Sequence, residues 1–167
     1  MKRLLLDVNI ALDLVLARTP FSTEAAALWG AAETGRVEIV LPAHGVTTVY
    51  YLAARAKGNA FAARVVEDLL VVPAVAGVDG RVLRRALALG WPDFEDAVCA
   101  AAAEAAACDF LVTRDPKGYR DSPVTVVEPG TALALIAGES GTGEVRERAA
   151  ARRRRRSQPR MPGRAGG

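Results

Sequence analysis

Apolar residues fall in two spacings along this chain, short unbroken runs and longer stretches with a helical repeat, and the two alternate. Residues 2–7, KRLLLD, form a brief apolar run closed by an acid, the pattern of a buried parallel strand. VEIVL at residues 37–41 is a second such run, residues 71–75 a third, DFLVT at 109–113 a fourth and residues 122–127 a fifth. Pro73 has no N–H for a sheet ladder, so the third run suits a central position poorly. Between the runs, residues 9–17 carry Ile10, Leu12, Leu14, Val15 and Leu16 in a short helix that stops before Pro20. Residues 21–34 read as a helix with Gly35 just past its end. Pro42 opens a helix through VTTVYYLAARAK to Gly58, and residues 59–70 place Phe61, Val65, Val66, Leu69 and Leu70 on one side of another. Asp79 is positioned to cap VLRRALALG, which Gly90 closes. Pro92 and Asp93 open FEDAVCAAAAEAAAC, and Pro129 opens a last short helix, TALALIA. Strands alternating with helices predict an α/β fold with a parallel, doubly wound sheet.

Composition narrows this further. Hydrophobic residues make up 51% of the 167, enough for a sizeable core, while aromatics are only 5%. So few rings argue against a domain that binds nucleic acid by stacking bases. Cys99 and Cys108 lack zinc spacing, are too few for a disulfide framework, and are expected in the core. Asp7 and Asp13 interrupt the first apolar stretch, which excludes a signal peptide, and AVCAAAAEAAAC is short and broken by Glu104, which excludes a membrane span. A soluble, cytoplasmic protein is the expectation. Charge divides the chain. Residues 1–137 hold 13 Lys and Arg against 16 Asp and Glu, whereas residues 138–167 hold 9 Arg against 3 Glu. The expected organisation is a globular domain over 1–137 and a disordered Arg/Gly/Pro-rich tail over 138–167. Arg152, Arg153, Arg154, Arg155 and Arg156 make that tail either a phosphate-binding arm or a solubilising extension.

In a doubly wound sheet the functional crevice lies beyond the carboxyl ends of the strands. Asp7 ends the first strand, and Asp115 follows the fourth after Arg114. Asp93 and Asp96, three apart, can share a face in the first turn of the helix leading into that fourth strand. Carboxylates that converge in one crevice repel unless a cation lies between them. Oxygen ligands without Cys or His favour Mg²⁺ or Mn²⁺, whose bound waters can attack a phosphodiester. Simpler roles exist for each acid: Asp93 and Asp96 as helix caps, Asp115 as a turn former before Pro116 and Gly118. Asp7 has less to do in turn chemistry. A receiver-type phosphoacceptor domain also gathers acids, but neither IVLPA nor VVPAV supplies the Asp it needs.

LLLDVNIALDLVLAR, PDFEDAVCAAAAEAAACDFLVTRDPKGY and SPVTVVEPGTALALI, in that order, resemble the PIN-domain ribonucleases, and among them the VapC-like toxins of bacterial toxin–antitoxin pairs. The resemblance spans roughly residues 1–137. It implies a three-layer fold with a mainly parallel sheet of about five strands flanked by helices. It also implies a Mg²⁺- or Mn²⁺-dependent endoribonuclease acting on RNA, a cognate antitoxin as partner, and a homodimer. Family metal-binding acids match Asp7, Asp96 and Asp115, with Asp93 as an extra acid and Asn9 and Thr113 as accompanying polar residues. One position departs: where the family has a Glu on the helix after the second strand, PAHGVTTVYYLAAR offers Thr47 and Thr48, with Thr48 the expected supporting polar residue. A hydroxyl can hold a metal-bound water but brings no charge. An alternative follows, an RNA-binding module with a weakened site. His44, the only histidine, is expected to be structural or capping, and Trp29, Tyr50 and Tyr51 core or interface residues.

Overall fold

A computed structural model describes residues 1–138, of which Met1–Ile136 form one compact unit. The expected basic tail, with Arg152 to Arg156, lies outside the described residues. Five strands, β1 (Lys2–Leu6), β2 (Val37–Pro42), β3 (Ala74–Ala76), β4 (Phe110–Val112) and β5 (Thr125–Val127), make one sheet in the order β3-β2-β1-β4-β5. Every neighbouring pair is parallel. Helices α1 (Val8–Val15) and α2 (Ser22–Glu33) join β1 to β2, and α3 (Ala43–Lys57) and α4 (Asn59–Leu69) join β2 to β3. The chain then crosses back through α5 (Gly80–Leu89) and α6 (Phe94–Ala105) to β4 on the other side of β1. A 3-10 turn at Pro116–Tyr119 leads to β5, and a final helix, α7, covers residues 129–138.

Alternation along the strands creates three layers. Leu4 and Leu6 of β1, with Val37, Ile39 and Leu41 of β2, face one core, while Leu5 and Val40 face the other. The first core is completed by Ile10, Leu28, Val49, Val65 and Ile136 from α1, α2, α3, α4 and α7. The second is filled by Val82 and Ala86 of α5 and by the unbroken buried run Ala97 to Ala103 of α6. Those small side chains let α6 lie close on the sheet, since a methyl group buries easily and costs no rotamer entropy. Asp79 caps α5 through the N–H groups of Arg81 and Val82, and Gly90 closes it at φ 68°, where a side chain would be strained.

The third strand differs from expectation by starting three residues later and ending one later. Residues 71–73 turn instead of pairing, and β3 begins after Pro73 at the sheet edge, the one place a residue without an N–H is tolerated nearby. The fifth strand likewise starts only at Thr125, after Pro123. Reversal of winding occurs between β1 and β4, so the two strands that carry Asp7 and Asp115 at their carboxyl ends are neighbours.

Candidate functional site

Register brings the first contacts. Leu6 stands opposite Val112, which sets Asp7 beside Thr113 just beyond the strand ends. The Asp7 N–H donates to Val112 O at 2.9 Å, and the Thr113 hydroxyl donates to Asp7 Oδ2 at 2.9 Å. Both side chains are buried. Asn9 Nδ2 lies at the limit of hydrogen bonding from the same Oδ2, 3.5 Å. Thr113 Oγ1 also accepts from the Asp115 N–H at 3.1 Å, so one hydroxyl links the ends of β1 and β4. Asp115 is exposed, and its Oδ1 accepts from the Lys117 N–H at 3.2 Å, capping the 3-10 turn.

Asp93 is the N-cap of α6: its Oδ1 accepts from the N–H groups of Glu95 at 2.9 Å and Asp96 at 3.2 Å, which leaves Oδ2 uncommitted. That cap points Asp96 into a pocket of about 120 Å³ which Asp7, Asn9, His44, Asp93 and Tyr119 also line. Burial raises the Asp96 carboxyl from 3.8 to about 6; the Tyr119 hydroxyl, the next influence in size, opposes this, and the charges of Asp93, Asp7 and Asp115 add to the rise. Gly118 makes this approach possible. A Cβ there would stand 2.7 Å from Asp96 Oδ2.

Two further residues line the pocket: Tyr119, which the sequence reading did not single out, and His44, expected to be structural or capping. Tyr119, edge-on to Trp91 with centroids 5.8 Å apart, buries a hydroxyl that makes no well-formed hydrogen bond although Asp96 and Cys99 are its polar neighbours. His44 does not cap α3, and its Nδ1 is buried without a partner. Burial pushes its imidazole below the usual value, outweighing Glu95 and Asp7. Cys99, also on the pocket wall, has a thiol raised well above its ordinary range by burial, which makes it an inert wall group.

Thr47 and Thr48 lie elsewhere. Both hydroxyls donate back to His44 O within α3, at 2.7 and 3.2 Å, and neither lines the pocket. An unforeseen charge lies behind the site. Asp13 is fully buried, with Arg114 Nε 2.8 Å and Arg18 Nη1 3.9 Å from its carboxylate, and the Arg114 guanidinium sits 4.1 Å over the Phe21 ring. The pairs are close in distance but not aligned as hydrogen bonds. Desolvation raises the Asp13 carboxyl, Arg114 and Arg18 oppose this, and the Asp7 charge adds to it. The only hint in the sequence was an acid in an apolar run.

No Lys or Arg among the described residues pairs with Asp7, Asp93, Asp96 or Asp115. A cluster of oxygen donors with unrelieved repulsion fits a hard divalent cation in its chemistry. The described His, Cys, Asp and Glu side chains do not form a preassembled set of three ligands.

A family model described as "PIN domain" matches residues 3–117. No curated protein matches the chain in a sequence search. Among solved structures, the DNA-bound VapBC complex of Salmonella typhimurium is similar at TM-score 0.61 and 14% identity, covering 77% of this chain and 99% of that one. A toxin–antitoxin complex from Klebsiella pneumoniae is similar at TM-score 0.58 and 23% identity, covering 75% and 96%. VapC20 of Mycobacterium tuberculosis, described as a sarcin–ricin loop cleaving toxin, is similar at TM-score 0.54 and 17% identity, covering 65% and 86%. The structural likenesses give the fold, the family model extends over most of the described residues, and the acids at the switch point lie within its span: the chain belongs to the PIN domain family.

Proposed function

We propose that this protein is a divalent-metal-dependent endoribonuclease that acts as the toxin of a toxin–antitoxin pair. The observation that carries this reading is the convergence of Asp7 and Asp96 in one pocket, with the charge of Asp115 reaching Asp96. Asp7, Asp96 and Asp115 would hold Mg²⁺ or Mn²⁺, with the free Oδ2 of Asp93 beside them. When bound, such a cation neutralises phosphodiester charge and lowers the pKa of a coordinated water. The chain's own part is to orient the oxygens: Thr113 fixes Asp7, the α6 cap aims Asp96, and the 3-10 turn holds Asp115. Asn9 supports Asp7 from the start of α1.

The partner reading rests on the similar toxin–antitoxin complexes. It is supported by an apolar groove of about 480 Å³ lined by Leu14, Trp29, Phe61, Val65, Leu69 and Val72, which an amphipathic antitoxin helix would fill. A homodimer would use Tyr50 and Tyr51, both exposed on α3. The arginines 152–156 would add salt-sensitive, sequence-independent affinity for RNA phosphates. No described helix is long and apolar enough to cross a membrane; a cytoplasmic location is part of the proposed toxin reading.

A second reading, RNA binding without cleavage, is favoured by one observation: α3 contains no Asp or Glu and so sends no carboxylate to the pocket, and the hydroxyls of Thr47 and Thr48 bond back to their own helix. Incubation of the protein with RNA and Mn²⁺ or Mg²⁺ separates the two. The nuclease reading expects cleavage that EDTA and Asp7→Asn each abolish. Retention of RNA with no cleavage under any divalent cation would establish the second.

A further inference from the structure

His44 is the polar side chain that α3 does bring to the acidic pocket, and its hydrogen-bonding state is unusual. The structure gives its side chain no hydrogen bond, and of its two ring nitrogens only Nδ1 is both sealed from solvent and unpartnered. Nε2 is therefore the accessible edge. A neutral imidazole carries one N–H and one lone pair. A buried N–H without an acceptor is rarer in proteins than a buried acceptor left short. The favourable tautomer thus leaves the lone pair on the enclosed Nδ1 and presents Nε2–H at the pocket. The same pocket is also lined by Asp7, Asp93, Glu95 and Asp96, which can only accept hydrogen bonds when ionised. A phosphodiester entering beside a cation needs donors for its non-bridging oxygens, and this pocket has few.

We propose that His44 is a substrate-binding residue of the site, its Nε2–H holding a non-bridging oxygen of the scissile RNA phosphate. Helix α3 thus takes part in this chain through a donor to the anion and not through a carboxylate. The proposal rests on the nuclease reading above, and its test separates the two. A randomised RNA pool incubated with full-length protein and Mn²⁺ locates a preferred cut. A short RNA with that cut then carries an Rp or Sp phosphorothioate at the scissile linkage. Mn²⁺ accepts sulfur ligands, so a remaining loss of rate with one diastereomer reports a protein hydrogen bond, because sulfur accepts such bonds poorly.

The expected result is that wild type cleaves and that one diastereomer is slowed by about tenfold, the worth of one such bond. His44→Ala should cleave the all-oxygen RNA about tenfold or more slowly and show no further loss with that diastereomer. His44→Gln, which keeps an N–H donor, should recover most of the rate and serves if the alanine variant folds poorly. Stabilisation by Mn²⁺ alone should be the same in all three proteins. If wild type cleaves and both His44 variants keep its rate, or keep its thio effect, the proposal is overturned while the nuclease reading stands. If wild type cleaves no RNA, the nuclease reading falls and takes this proposal with it.

Discussion

Replacing Asp96 with asparagine should make the metal-free protein more stable while abolishing the proposed ribonuclease activity. The Asp96 carboxyl is raised from 3.8 to about 6, first by burial and then by Asp93, Asp7 and Asp115. A folded-state pKa above the unfolded one means that the folded protein holds the proton more tightly. Its stabilising contribution is therefore complete below about pH 4 and lost as pH rises through about 6, so that at pH 7 the charge is a net cost. The whole shift corresponds to ~3 kcal/mol. Asp96 is only half-buried, and solvent screening reduces this to ~1–2 kcal/mol. Asparagine has the same shape, keeps an oxygen for Tyr119 and does not ionise. Asp96→Asn should accordingly gain ~1–2 kcal/mol at pH 7 in EDTA, about 3–6 °C in melting temperature. At pH 5, between the unfolded and folded pKa values, the gap should fall to about half, and it closes only below about pH 4. Saturating Mn²⁺ should reverse the order, since it stabilises only the protein that binds it. Urea unfolding followed by circular dichroism at both pH values, with EDTA and with Mn²⁺ at pH 7, checks each arm. A less stable variant at pH 7, or a gap of equal size at pH 5, would refute the reasoning.

Gly118→Ala should force the Asp96 carboxylate to turn away, lowering Mn²⁺ affinity by about tenfold in calorimetric titration while changing folding stability by less than ~1 kcal/mol. Arg114→Met leaves the buried Asp13 charge without its nearest partner and should cost ~3 kcal/mol in urea unfolding. Adding Asp13→Asn to that variant should restore at least about half of the loss, and a double variant no better than the single would show that Arg114 acts only through packing on Phe21. Thr47→Ala and Thr48→Ala should each keep Mn²⁺ affinity within about twofold of wild type, a tenfold loss in either meaning that α3 reaches the cation through them.

Local signals in the chain determined the order of elements and much of the acid set. Short unbroken apolar runs and helical stretches between them made the parallel sheet legible, and Asp79, Gly90 and Asp93 marked helix ends by chemistry that acts within a few residues. Asp7 stood out for the same local reason, an acid where a strand ends. Its hydrogen bond to Thr113, 106 positions away, depends on β1 pairing with β4, which no short-range pattern states. Tertiary structure also decided between residues that sequence treats alike. Thr47 and Thr48 carry hydroxyls suited to a site, but helix geometry puts the i−3 and i−4 carbonyl of His44 within their reach and they bond there. His44 sits at the first turn of α3, just beyond the end of β2, and so lines the pocket. Asp13 is an acid in an apolar helix on paper, and the approach of Arg114, 101 positions along the chain, with Arg18 beside it, explains how its charge is kept inside. Propensity and periodicity act over a few residues and are written in order along the chain. Which side chains meet across the switch point is set by strand register and helix packing, and those exist only when the whole domain has closed.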